Sequence, residues 1–144
     1  MNARIAIEQP TDSDIDVVHA MLKETYWSPG VPRDVVARAC ANSLCAIARD
    51  GAGKLIGFAR LVTDKTSFAW LCDVVVLPGK QGRGLGRALV RTFQEHPELQ
   101  GLRRWLLATK DAHSVYTPLG FAPLDYPERF MHIRSPAPYG RSTS

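Results

Sequence analysis

Residues 77–90 read LPGKQGRGLGRALV, with Gly82, Gly84 and Gly86 on alternate positions directly ahead of an apolar repeat of helical period. A strand that runs into a glycine-rich turn and then a helix aims several unpaired backbone N–H groups, and the positive end of the helix dipole, at one small volume. Phosphate groups bind naturally at such a place. Glycine serves there because side chains would block close approach and because some positions need positive φ. Lys80, Arg83 and Arg87 add charge at the rim. Two familiar phosphate loops fail on spacing. The dinucleotide pattern G-x-G-x-x-G needs glycine at Arg87 or Leu89, and the P-loop pattern counted from Gly79 and Gly84 meets Leu85 and Gly86 where Lys and Ser/Thr belong. Spacing alone leaves two readings open, an anion cradle or a structural helix start. Just upstream, Asp73 is the only charge inside the apolar run FAWLCDVVVLP, where an ionised group is costly unless a partner meets it.

The elements that must position these residues are legible from periodicity. ARIAIEQP alternates apolar and polar residues and stops at Pro10, which predicts a first strand. Thr11, Asp12 and Ser13 offer caps for a helix from about Ile15 to Lys23. YWSPGVP interrupts it, and a second helix follows from Pro32, a residue favoured in a first turn. LCAIARD and KLIGFARLVTD, separated by GAG, read as a hairpin. The near-continuous apolarity of FAWLCDVVVLP predicts a central strand covered on both faces. From Gly84 to about Glu95, Leu85, Ala88, Leu89, Thr92 and Phe93 share one helical face, with Arg83, Arg87 and Arg91 on another. LRRWLLAT reads as a further strand, DAHSVY as a short helix cut off by Pro118, and PERFMHI as a last strand. Residues 134–144 lack apolar periodicity and are expected to form a loosely ordered tail. The order predicts an α/β (α+β) fold: a single domain over 1–144, core about 4–133, with a mixed, mostly antiparallel sheet flanked by helices. The connection between WLCDVVVL and LRRWLLA is long enough for a right-handed parallel crossover.

Composition narrows the function classes. A chain of 144 residues with 45% hydrophobic and 22% charged residues has the balance of one globular domain. It carries no apolar run of the roughly 18 residues that a membrane span needs, so a cytoplasmic protein without membrane partners is the expectation. Cys40, Cys45 and Cys72 are odd in number and widely spaced, which predicts buried thiols and no metal site. The net charge of +4 invites a nucleic-acid reading. Its location argues otherwise: Lys80–Arg104 holds six basic and two acidic residues, the whole surplus, so the charge marks a localised anion site rather than a basic stripe.

Two further patterns define a resemblance. Gln81-Gly82-Arg83-Gly84-Leu85-Gly86 fits Q/R-x-x-G-x-G/A after a valine-rich strand ending in proline, and Ala112, Tyr116, Gly120 and Phe121 fit A-x-x-x-Y-x-x-x-G-F one helix and one strand later. Together they resemble the GNAT N-acetyltransferase superfamily, whose element order matches from residue 4 to about residue 133. The resemblance implies an acyltransferase that uses acetyl-CoA. The backbone of Val74, Val75 and Val76 would pair with the pantetheine arm like an added strand. The amides from Gly82 to Arg87 would cradle the pyrophosphate, with Gln81 completing the motif. Tyr116 would protonate the sulfur of the leaving coenzyme A thiolate; the alternative is a core tyrosine. Asp73 is read either as a general base, or holder of the substrate ammonium group, or as a structural carboxylate at a sheet distortion. His113 is a further base candidate or a capping residue. Thr109 stands where many members have Asn and would contact the pantetheine amides through its one hydroxyl. Tyr26 and Trp27, between the first two helices, would line the acceptor pocket. The expected acceptor is a primary amine of a small molecule, with a protein amine, a non-catalytic acyl-CoA sensor and a nucleic-acid-binding domain as alternatives, and the active unit a monomer or a homodimer.

Overall fold

The computed structural model describes residues 3–140. Five strands form one sheet in sequential order: β1 (Arg4–Ile7), β2 (Leu44–Arg49), β3 (Leu55–Thr63), β4 (Phe68–Val76) and β5 (Arg104–Leu106). The first three pairings are antiparallel and β4–β5 is parallel, closed through a helical crossover. Helices α1 (Asp12–Leu22) and α2 (Arg33–Ala41) cover one side of the sheet, α3 (Leu85–Gln94) covers the other, and a one-turn α4 (His113–Tyr116) follows β5. This is the mixed, mostly antiparallel α/β arrangement expected.

Local chemistry explains the element ends. Thr11 and Asp14 form a capping box at the start of α1, each side chain bonded to the other's backbone N–H. The Asp14 carboxylate also takes two hydrogen bonds from Arg49, at 2.9 and 2.8 Å, which ties α1 to β2 and holds the Asp14 carboxyl below its ordinary range. Pro32 caps α2 in extended conformation. On the α3 side, Leu85, Leu89, Val90 and Phe93 are buried against β2, β3 and β4. Gly57 permits that approach, since a Cβ there would meet Leu89 Cδ1 at 3.3 Å. On the other side Ile15, Val18, Leu22, Val31, Val36 and Cys40 bury Ile47, Leu55 and Phe58. Cys40 and Cys45 are buried free thiols, and Cys72 is a half-buried one.

Two features differ from expectation. PERFMHI forms no strand: a 3₁₀ turn occupies Pro127–Arg129, and the residues after it run on without a ladder partner. Pro127 has no N–H to give, and Tyr126 ahead of it sits at φ +54°, so the chain turns where a strand would have to begin. The tail is also anchored where it is described. Pro138–Gly140 form a 3₁₀ turn from which Tyr139 packs against the α1–α2 core cluster; residues 141–144 lie outside the described residues.

Candidate active site

The sheet opens at β4. Register runs Phe58↔Val75 and Arg60↔Cys72, so Asp73 and Val74 together oppose the single residue Ala59. This is a bulge, and Asp73 adopts φ +54° within it. Pairing with β5 covers only Phe68, Ala69 and Trp70. From Leu71 onward the β4 edge facing β5 therefore has no strand partner, and its backbone groups are available to a ligand. The valines alternate as a strand requires. Val74 and Val76 pack toward α3, and Val75 packs toward α1 and α2.

The edge leads directly into the glycine turn. Gly79, Gly82 and Gly84 have φ of +88°, +79° and +78°, and Gly84 is the N-cap of α3 without any capping side chain. The first N–H groups of α3 thus lack a protein acceptor from the cap, the condition for anion binding at a helix start. Gln81 donates from Nε2 to the Val76 carbonyl at 3.1 Å and folds the turn back against the strand end. Gly86 is different from its neighbours: it needs no positive φ, and an added Cβ would meet only Val74 Cγ1, at 3.8 Å. Neither backbone nor packing within the chain demands glycine there. Arg83 and Arg87 are exposed beside the turn.

A trough of about 800 Å³ runs beside this strand end, between α1 and β4, walled by Val17, Met21, Trp27, Val74, Val76 and Gln81 among others. Its walls are mainly apolar. At its far end stands the loop between α1 and α2. Tyr26 and Trp27 meet edge to face with centroids 5.1 Å apart. Trp27 donates from Nε1 to Asp73 Oδ1 at 2.9 Å, while Arg60 Nε donates to Asp73 Oδ2 at 2.8 Å. Arg60 also donates to Ser43 Oγ at 3.0 Å. Both Asp73 oxygens are thus engaged, and its side chain is 10% exposed against 19% for Arg60. The charge that looked solitary in the sequence has a cationic partner on the neighbouring strand.

Across the opening, a second groove of about 820 Å³ follows β5 and α4, lined by Thr109, His113, Tyr116 and Phe121 among others. Tyr116 packs edge to face on Phe121 at 5.9 Å. Burial, with the neighbouring Tyr26 hydroxyl adding to it, raises the Tyr116 phenol above its ordinary pKa, so it stays protonated through neutral pH. The Thr109 hydroxyl accepts from Ala112 N at 3.1 Å and fastens the turn into α4. The two sides are clasped by Tyr26, whose hydroxyl accepts from Lys110 N at 2.9 Å while Lys110 Nζ lies 5.5 Å from its ring centre. Val74, Val75, Val76, Gln81 and Trp27 thus share one trough, Thr109 and Tyr116 share the other groove, and Tyr26 bridges them. Sequence reasoning missed Arg60 and Lys110. Arg60 was detectable as the lone charge between Leu55 and Thr63; the Lys110 contact runs through its backbone and carried no signal.

A valine strand with an open edge, a left-handed glycine turn onto a helix, and a tyrosine on a short helix across the gap define an acyl-transfer fold. Residues 15–121 match the family model described as the acetyltransferase (GNAT) family, and the chain belongs to that family. The Gibberella zeae protein FG08082, whose name assigns it to the acetyltransferases, is 30% identical over 129 residues, 74% of this chain and 72% of that one. The uncharacterized N-acetyltransferase ycf52 of Pyropia yezoensis is 38% identical over 79 residues, 51% of this chain and 42% of its own length. The crystal structure of the GNAT-family protein xcc2953 from Xanthomonas campestris pv. campestris superposes with a TM-score of 0.88 at 37% identity, covering 100% of this chain and 99% of that one. Glucosamine-6-phosphate N-acetyltransferase from Arabidopsis thaliana shares the fold, with a TM-score of 0.68 at 14% identity over 94% of this chain and 98% of that one. The protein is an acyltransferase of a family that uses acetyl-CoA. Among the described residues no helix is long and apolar enough to cross a membrane.

Proposed function

We propose that this protein transfers the acetyl group of acetyl-CoA to a primary amine of a small molecule by direct attack. The observation that carries the reading is the unpaired edge of β4, which leads from the glycine turn to the clasp between Trp27, Tyr26 and the groove of Tyr116. The pantetheine arm adds to that edge through the backbone of Val74, Val75 and Val76, and the pyrophosphate sits on the amides of Gly82–Arg87 with Arg83 and Arg87 at the rim.

The amine reaches the site uncharged, having lost its proton to water. Its nitrogen forms a bond to the acetyl carbon, the carbon–sulfur bond breaks, and the sulfur takes the Tyr116 phenol proton; the nitrogen's surplus proton leaves to solvent, from which Tyr116 is reprotonated. Of the roles that the sequence leaves open for Asp73, general base, holder of the substrate ammonium group or structural carboxylate, it serves as a positioning residue. Its oxygens hold Trp27 and Arg60, and Trp27 with Tyr26 forms the wall against which the acceptor rests.

Tyr116→Phe tests this reading. It removes one oxygen, keeps the edge contact with Phe121, and should lower kcat about 100-fold with acetyl-CoA affinity unchanged within about twofold. Because burial raises the phenol above the usual value of about 10, wild-type kcat/KM should rise with pH as the amine deprotonates and fall only above about pH 10. A fall centred below about pH 9, or full activity in Tyr116→Phe, would show that another group is the acid.

A further inference from the structure

A third, smaller cavity lies on the α1–α2 side of the sheet at the β4 bulge. It holds about 150 Å³ between Leu22, Val31, Val36 and Cys40 and the Arg60–Asp73 pair. Asp73 immediately precedes the valines assigned to the pantetheine arm. Trp27, which bonds Asp73, is followed in the chain by Ser28 of the cavity wall. With acetyl-CoA along Val74–Val76, the cavity borders the acetyl end of the cosubstrate on the side where the acceptor rests.

The chemistry of the walls selects one kind of guest. The Arg60 and Asp73 charges lie 2.8 Å apart and offset each other, and each group has a further partner, Ser43 for Arg60 and Trp27 for Asp73. A carboxylate on the acceptor would meet Asp73 there, and a second ammonium group would meet Arg60, each after losing its water. A neutral apolar group meets neither cost. Cavities of this size walled by aliphatic side chains accommodate a benzene ring. The chain itself seats a ring at this place: Tyr139, in the turn Pro138–Gly140, lines the cavity and packs on its apolar cluster. It does so at φ +72°, a left-handed backbone that tyrosine rarely adopts. Departure of the ring from the cavity relieves that strain.

We propose that this cavity is an aryl subsite, that Tyr139 holds the place of the ring until an acceptor displaces it, and that the acceptor is a primary amine bearing one aromatic ring. The inference rests on the acyltransferase reading for the reaction and names its acceptor class. Seating of the ring is measured separately from turnover, so the two fail independently.

Thiol release from acetyl-CoA should favour 2-phenylethylamine over n-butylamine by about 10-fold or more in kcat/KM. Ala39→Phe, at a half-buried position of α2 that lines the cavity, fills the space and should cut that ratio about 10-fold. Tyr139→Ala empties it and should lower KM for 2-phenylethylamine about fivefold, with KM for acetyl-CoA unchanged, whereas a merely structural Tyr139 would change the melting temperature and neither KM. A preference below about 10-fold overturns the proposal, and so does a folded Tyr139→Ala protein whose KM for the aryl amine stays at the wild-type value. If no amine releases thiol, the reaction reading fails alone and calorimetry without acetyl-CoA decides the subsite. Saturable binding of 2-phenylethylamine that Tyr139→Ala tightens supports it, and no saturable binding up to about 10 mM overturns it.

Discussion

At the residue scale the site turns on how Asp73 spends its charge. A carboxylate at φ +54°, bonded to a tryptophan 46 residues away and to an arginine on the neighbouring strand, fixes the loop between α1 and α2. Base and positioning roles separate cleanly in Asp73→Asn. Asparagine tolerates the left-handed backbone and can still accept from Trp27. The positioning role predicts kcat within about 10-fold of wild type and a melting temperature lowered by several degrees, because Arg60 loses its partner. A base predicts a kcat loss of about 100-fold or more, and that result in a folded variant would restore the catalytic reading. The sequence displayed both charges, each alone in an apolar strand. The register that pairs them is set by the bulge opposite Ala59, and no local pattern announces a bulge in a run of valines and cysteine.

Among the elements, the strand–turn–helix unit from β4 to α3 was the most legible. Alternating glycines, a proline stop and a 3.6-residue apolar period give its order and direction, and the structure bears out helix bounds within a residue of those expected. Gly86 tests what the unit is for. Gly86→Ala adds a methyl at ordinary contact distance from Val74 and removes the helix penalty of glycine, up to about 1 kcal/mol. Its melting temperature should hold or rise by about 3 °C while acetyl-CoA affinity, read by calorimetry, falls at least 10-fold. Affinity unchanged in that variant would mean that the ligand does not approach α3 there. The last strand expected at PERFMHI failed for a physical reason. Its alternation and β-formers are real, but a strand needs a ladder partner, and Pro127 with the left-handed Tyr126 puts a turn where this strand would begin.

For the whole molecule, two core clusters on opposite faces of one sheet leave a single line of weakness, the divergence of β4 from β5. The chain's basic surplus falls between Lys80 and Arg104, and Arg83 and Arg87 of that stretch are exposed beside the glycine turn. The acceptor was never legible, because Tyr26 and Trp27 acquire their places only through contacts with Lys110 and Asp73 far along the chain. The direct measurement is thiol release from acetyl-CoA by the purified protein against a panel of primary amines, with the N-acetylated product weighed by mass spectrometry. The account predicts that at least one small amine yields thiol and N-acetyl product in equal amounts, at a rate that falls about 100-fold in Tyr116→Phe. Tight acetyl-CoA binding with no thiol released in the presence of any amine would contradict it.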